Sequence, residues 1–329
     1  MPGPSARKVV LGIVIALCLS FAFWPFGGGS SPQDSDIVAI TFSADGQTLL
    51  AGARSGEVFA LHVGDGRILG SGRIWKSRYD HRPAGFNSLA FERNGRFVVW
   101  AGTTLKLIAF DSVEPLPVID APRLAFGGAA ISPDGRRVSA ISSAERLLVW
   151  KLEGPSRPID LGRADAGVYS ATAFSPDGTR IALAGHTLRM FYAQSGTEVW
   201  SKRRDNYASL CVAFCPDGRV LASGSQDSSI RLWSADTGDE VSVLRGHQGY
   251  VDAVSFSPDG KKIASWARSG QLFLWDLVTP VAIPTNLAAT TGGASFSPDG
   301  RWIASGEARK TVGLWDTRTG KKIRDLSIR

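Results

Sequence analysis

Three cysteines and four histidines in 329 residues leave little material for a metal centre or a disulfide framework. His62, His81, His186 and His247 stand in no metal-ligand spacing with one another or with a cysteine, so no metal is expected. Cys211 and Cys215 fall four apart on one predicted strand, too far along it to bridge, and the cysteine count does not fix a redox compartment. No Gly-x-Ser-x-Gly elbow places a nucleophile, since "GSGR" at 70–73 falls in a connection without strand-to-helix context. The "GGGS" at 27–30 follows no strand and precedes no lysine, which removes a phosphate loop. "GHT" at 185–187 reads as a turn rather than a base. Helical periodicity is absent from every ten-residue stretch after Gly27. The net charge of +7 is spread over the chain, which disfavours nucleic acid. No catalytic residue and no cofactor are expected.

What the chain has instead is repetition. "FSPDG" occurs at 174–178, 256–260 and 296–300, with looser copies beginning at Phe42, Phe91, Ile131 and Phe214. From start to start the spacings are 49, 40, 43, 40, 42 and 40 residues. A period of this length marks a repeat architecture. Ser-Pro-Asp-Gly is turn chemistry: proline presets the first corner, aspartate bonds its own backbone and glycine takes the left-handed residue. Short alternating strands flank each turn, such as "VDAVSFS" at 251–257 and "KKIAS" at 261–265. A third strand ends in a large apolar residue ("IRLW" at 230–233, "LFLW" at 272–275, "VGLW" at 312–315). A second turn ("ADTG" at 235–238, "TRTG" at 317–320) leads to a fourth strand. Four strands per unit and seven units predict an all-β fold, a seven-bladed β-propeller of four-stranded blades over 37–329. A barrel or sandwich needs no repeat of this regularity. The turn aspartates (Asp45, Asp134, Asp177, Asp217, Asp259 and Asp299) each offer one carboxylate, and calcium needs several oxygens converging on one point.

These residues resemble the WD-repeat family of propellers over about 37–329. Blade five, "CVAFCPDGRVLASGSQDSSIRLWSADTGDEVSVLRGH", lies close to the family pattern. The tryptophan position is filled by Trp150, Trp233, Trp275 and Trp315, and by Leu61, Phe110 and Phe191 elsewhere. The resemblance implies a structural link of His, Ser or Thr, Asp and Trp within a blade. By position blade five supplies Ser223, Asp227 and Trp233, with Asp205 where the histidine belongs. Blade six supplies His247, Ser265 and Trp275, with Ser269 where the aspartate belongs. His247 is therefore read as structural. Trp200 and Trp302 are read as packing between blades. The family closes its ring with an N-terminal strand in the last blade, but here "KKIRDLSIR" at 321–329 can supply that strand from the C-terminus. Apolar packing between blades one and seven is then expected at the seam, as the weakest in the ring. A second resemblance, of "FYAQSGTEVW" at 191–200 to quinoprotein propellers, carries an enzyme alternative: an exported propeller enzyme or quinone-cofactor binding protein.

Ahead of the repeats, residues 1–8 form a basic tip with Arg7 and Lys8, 9–26 an uncharged apolar run, and 27–36 a flexible linker. The run is long enough for an N-terminal hydrophobic helix acting as an uncleaved transmembrane anchor, with Trp24 at the interface. The alternative is a signal peptide cleaved near Ala22. A lipoprotein reading at Cys18 is disfavoured by Leu17 before it. Either leading reading exports the propeller, since basic residues stay inside. The compact turn style is similar to bacterial members of the family, which makes the periplasm the expected compartment.

Alternation of strands sorts the loops into two ends. The Asp-Gly tips share one end with the Thr-Gly turns and mix both charge signs. The other end, formed by the connections after strands two and four, holds Arg54, Lys202, Arg203, Arg204, Arg268, Arg309 and Lys310, with Trp75, Tyr250 and Trp266 as aromatic candidates. The resemblance implies that this end grips peptides. The expectation is a protein-interaction scaffold whose basic face docks an acidic or peptide-like protein partner. Ordinary solvated loop residues are the plain alternative.

Overall fold

The computed structural model describes residues 36–43, 45–53, 57–73, 86–91, 96–101, 104–109, 128–142, 145–152, 157–163, 171–203, 206–278, 281–288 and 292–328. Every regular element among them is a strand. The strands make six four-stranded sheets and one three-stranded sheet, each an antiparallel meander in chain order. In the second sheet Phe86–Phe91, Arg96–Ala101 and Thr104–Ala109 are described, and residues 110–127, where a fourth strand is expected, lie outside the described residues. The expected N-terminal helix lies outside them too.

The first strand of each sheet is the innermost. Ile37–Phe42 packs against Phe86–Phe91, and that strand against Ala130–Ile131. The circuit runs on through Thr172–Phe174, Ser209–Phe214, Val251–Phe256 and Gly292–Phe296, which returns to Ile37–Phe42. Apolar residues fill the space between sheets. One cluster joins the third, fourth and fifth sheets through Ile141, Leu183, Phe191 and Trp233. Another joins the fifth and sixth through Ile230, Val254 and Phe256. Leu61 and Phe191, which stand at the tryptophan position of their repeats, are fully buried there.

The repeated tip explains itself once the sheets are side by side. Within a tip, Ser43 Oγ donates to Asp45 Oδ1 at 2.6 Å and accepts from the Thr48 amide at 2.9 Å. Asp45 Oδ1 also accepts from the Gln47 amide at 2.9 Å. Ser132, Ser175, Ser257 and Ser297 repeat both serine bonds. The tip glycines hold φ near +70°, as at Gly46 (70°) and Gly178 (70°). Between tips, the proline of one sheet sits against the glycine of the next. A Cβ on Gly178 would lie 3.6 Å from Pro133 Cδ, one on Gly218 3.6 Å from Pro176 Cδ, and one on Gly300 3.4 Å from Pro258 Cδ. The motif is thus both a turn and an inter-sheet contact.

The seam between the last and first sheets follows the same rule, with Gly46 against Pro298. The last sheet takes all four of its strands from the C-terminal segment, ending with Lys322–Ser327. Ile37, Leu49, Phe59 and Leu61 pack with Ala304, Leu314, Leu326 and Ile328, and Trp302 lies against the same cluster. The Arg324 guanidinium donates to the carbonyls of Gly64 and Val63, and Lys310 Nζ lies 2.8 Å from Glu57 Oε2. Among the described residues no strand is exchanged between these two sheets.

Candidate docking face

The structural residues of each sheet come first, because they set the loops. Ser and Trp ten residues apart face each other across the second and third strands. Trp233 Nε1 donates to Ser223 Oγ at 2.9 Å, Trp275 Nε1 to Ser265 Oγ at 2.7 Å, and Trp315 Nε1 to Ser305 Oγ at 2.9 Å. Ser305 was legible from the same spacing. Ala140 holds that position ahead of Trp150, which is buried all the same. His247 Nε2 lies 2.6 Å from Ser265 Oγ, and its ring stacks on Phe273 with centroids 4.5 Å apart. His247 Nδ1 is buried without a hydrogen bond. Burial pushes the His247 pKa down to about 4, opposed only in part by Gln271. This is a neutral, packed histidine. Asp227 turns to its own loop: it accepts from the Ser229 amide at 3.1 Å and pairs with Arg231 at 3.0 Å. Trp200 Nε1 donates to the Ala235 carbonyl of the neighbouring sheet at 2.9 Å.

In each meander, the connections after the second and fourth strands lie at the end opposite the Asp-Gly tips. Among the described residues at that end, Arg203, Arg245 and Arg309 are exposed and make no ion pair. Tyr250 is 40 % exposed. Arg268 is held firmly: its Nε and Nη2 reach Asp252 Oδ2 and Oδ1 at 2.6 and 3.1 Å, and its guanidinium lies 5.1 Å from the centre of the Tyr250 ring. Asp252 is buried, and desolvation pushes its carboxyl pKa up against the pull of Arg268. It occupies the β-bulge at the start of Val251–Phe256, where the ladder skips from Val251 to Ala253. The equivalent bulges carry Val38 in the first sheet and Leu210 in the fifth. The signal for Asp252 is an aspartate inside an otherwise apolar strand.

Three expectations need correction. Trp266 is not an exposed aromatic; it is 6 % exposed. It lies on Lys262–Ala267, which packs against Gly292–Phe296, a strand that opens with two glycines and so leaves room for a large ring. Lys202 reaches away from the expected end, its Nζ 3.3 Å from Asp239 in the Thr-Gly turn of the next sheet. Lys310 is spent at the seam, on Glu57 and over the Phe59 ring. Arg54, Trp75 and Arg204 lie outside the described residues. Among the described residues no group of three His, Cys, Asp or Glu side chains is arranged to hold a metal ion, and no helix is long and apolar enough to cross a membrane.

Residues 205–234, 238–276 and 289–316 match the family model described as WD domain, G-beta repeat. No curated protein matches the chain at a significant level.

Proposed function

For a chain that carries WD repeats over 205–316, we propose the role of a non-enzymatic protein-interaction scaffold. The seven sheets are the blades of one seven-bladed propeller, tethered through 9–26 to the outer face of a membrane. The end opposite the Asp-Gly tips is its docking face, and the partner is an acidic protein segment. The observation that carries this reading is the trio Arg203, Arg245 and Arg309, exposed and without ion pairs among the described residues. At the tip end, by contrast, the turn aspartates Asp134, Asp259 and Asp299 stand two residues before Arg136, Lys261 and Arg301. Unneutralised arginines on one face steer an anionic partner and supply contact energy on arrival.

The test is fractionation of cells expressing the full chain with a C-terminal tag, followed by protease treatment of spheroplasts and purification of co-eluting protein. The expected result is a membrane-bound, protease-accessible tag. A partner should co-elute with the wild type and be lost from Arg203→Glu/Arg245→Glu/Arg309→Glu. A protected cytoplasmic tag overturns export and tethering. A partner retained by the charge-reversed variant overturns the assignment of the face.

A further inference from the structure

The arginines of this face are not scattered. Four described outer strands, Ile68–Arg73, Ile159–Arg163, Glu198–Arg203 and Glu240–Arg245, end on arginine. Four of the five tyrosines in the chain stand in the connections that follow: Tyr79, Tyr169, Tyr207 and Tyr250. In these four stretches of sequence an arginine closes the outer strand and a tyrosine precedes the next inner strand, whereas Val281–Ala288 and Lys322–Ser327 close without arginine. Two of these pairs, Arg203 with Tyr207 and Arg245 with Tyr250, lie wholly within the described residues. Packing does not call for the tyrosines there, since Tyr207 is 47 % and Tyr250 40 % exposed. Tyr250 is also pre-set. Arg268 lies against its ring and is itself fixed by the two hydrogen bonds it donates to buried Asp252. A ring held in place before binding loses less freedom on binding.

Resting on the docking reading above, we propose that this face reads an extended acidic segment in which aromatic side chains alternate with carboxylates. Arg203 and Arg245 each take a carboxylate, and Tyr207 and Tyr250 each take an aromatic ring. The geometry sets the spacing. Neighbouring strands lie about 4.8 Å apart, so within the fifth sheet the end of the outer strand at Arg245 and the approach to the inner strand at Tyr207 are roughly 14 Å apart. An extended chain advances about 3.4 Å per residue, so carboxylate and ring stand about four residues apart in the partner. Asp252 is a positioning residue in this scheme: it touches no ligand and acts through Arg268 on Tyr250.

The experiment uses the full chain in detergent micelles and two fluorescent peptides of one composition. The spaced peptide repeats Glu-Gly-Ser-Gly-Tyr, and the blocked peptide gathers its glutamates at one end and its tyrosines at the other. Fluorescence anisotropy is read at low and high salt. The spaced peptide should bind about tenfold more tightly, as expected when anchor side chains are engaged. Tyr207→Ala/Tyr250→Ala should erase that preference and keep the salt dependence. Arg203→Glu/Arg245→Glu should weaken both peptides and flatten the salt dependence. Asp252→Asn should weaken the spaced peptide more than the blocked one. Equal binding of the two peptides, or a preference that survives the tyrosine change, overturns the proposal and leaves a merely basic docking face standing. Absence of binding by both peptides overturns the acidic-partner reading along with it. The exposed tyrosine variants decide the question even where Asp252→Asn fails to fold.

Discussion

Cys215 stands where five other tips have serine, and the difference is one of hydrogen bonding. Ser175 Oγ gives Asp177 a short bond and takes the Arg180 amide at 2.9 Å. Cys215 offers Asp217 a thiol, a weak donor, and burial pushes that thiol pKa up to about 12. Cys215→Ser should therefore raise stability by about 1 kcal/mol in denaturant unfolding. A lower midpoint would mean that sulfur packing against Gly260 outweighs the bond. His247 makes a second prediction. Its folded pKa of about 4 lies below the ordinary 6.5, so the fold keeps it neutral. The unfolded chain takes up the proton first as pH falls. The contribution is complete above pH 6.5 and is lost as pH falls from there through about 4. The loss should reach about 3 kcal/mol. Denaturation at a series of pH values should show this slope in the wild type and a shallower one in His247→Gln.

At the scale of a single sheet, the Ser–Trp pair ties the second strand to the third. The sixth sheet has more at stake than the seventh. Ser265 Oγ meets both Trp275 and His247, whereas Ser305 Oγ accepts from Trp315. Each buried polar atom left without a partner costs about 1–3 kcal/mol. Ser265→Ala should thus destabilise by about twice as much as Ser305→Ala when the two are unfolded side by side in urea. Equal losses would show that the histidine contact contributes nothing. The strands, the tips and these pairs were legible in the sequence because each is fixed by residues at most ten apart. The fate of Trp266 was not. Alternation places it on one face of its strand, but whether that face is open or covered depends on Gly292–Phe296, from the next repeat.

For the whole molecule, the seam decides whether the ring holds. An exchanged strand would lock the first and last sheets together, and here side chains do it instead. Leu326 is buried at the seam and would also meet a Cβ on Gly66 at 3.0 Å. Leu326→Ala should cost about 2–4 kcal/mol. Its signature should be local: hydrogen exchange should quicken first in Ile37–Phe42 and Trp302–Glu307, ahead of Ser209–Phe214 on the far side. Uniform acceleration would mean that the circuit unfolds as one body and that the seam is no weaker than the other contacts.

The sequence by itself determined the strands, the tips, the period and the seven repeats, because turn chemistry and alternation act over a few residues. It also sorted the loops to two ends, since antiparallel meanders leave no other choice. Only the tertiary structure decided which basic residues at the end opposite the tips stay unpaired. Lys202, Arg268 and Lys310 look alike in a list of charges, yet one turns to Asp239, one to Asp252 and one across the seam to Glu57. Tertiary structure also gave the tip its second meaning, because the proline of one repeat meets the glycine of another some forty residues away. The physical reason is common to both. Pairing and packing between sheets depend on which residues become neighbours around the ring, and no short stretch of chain contains that information.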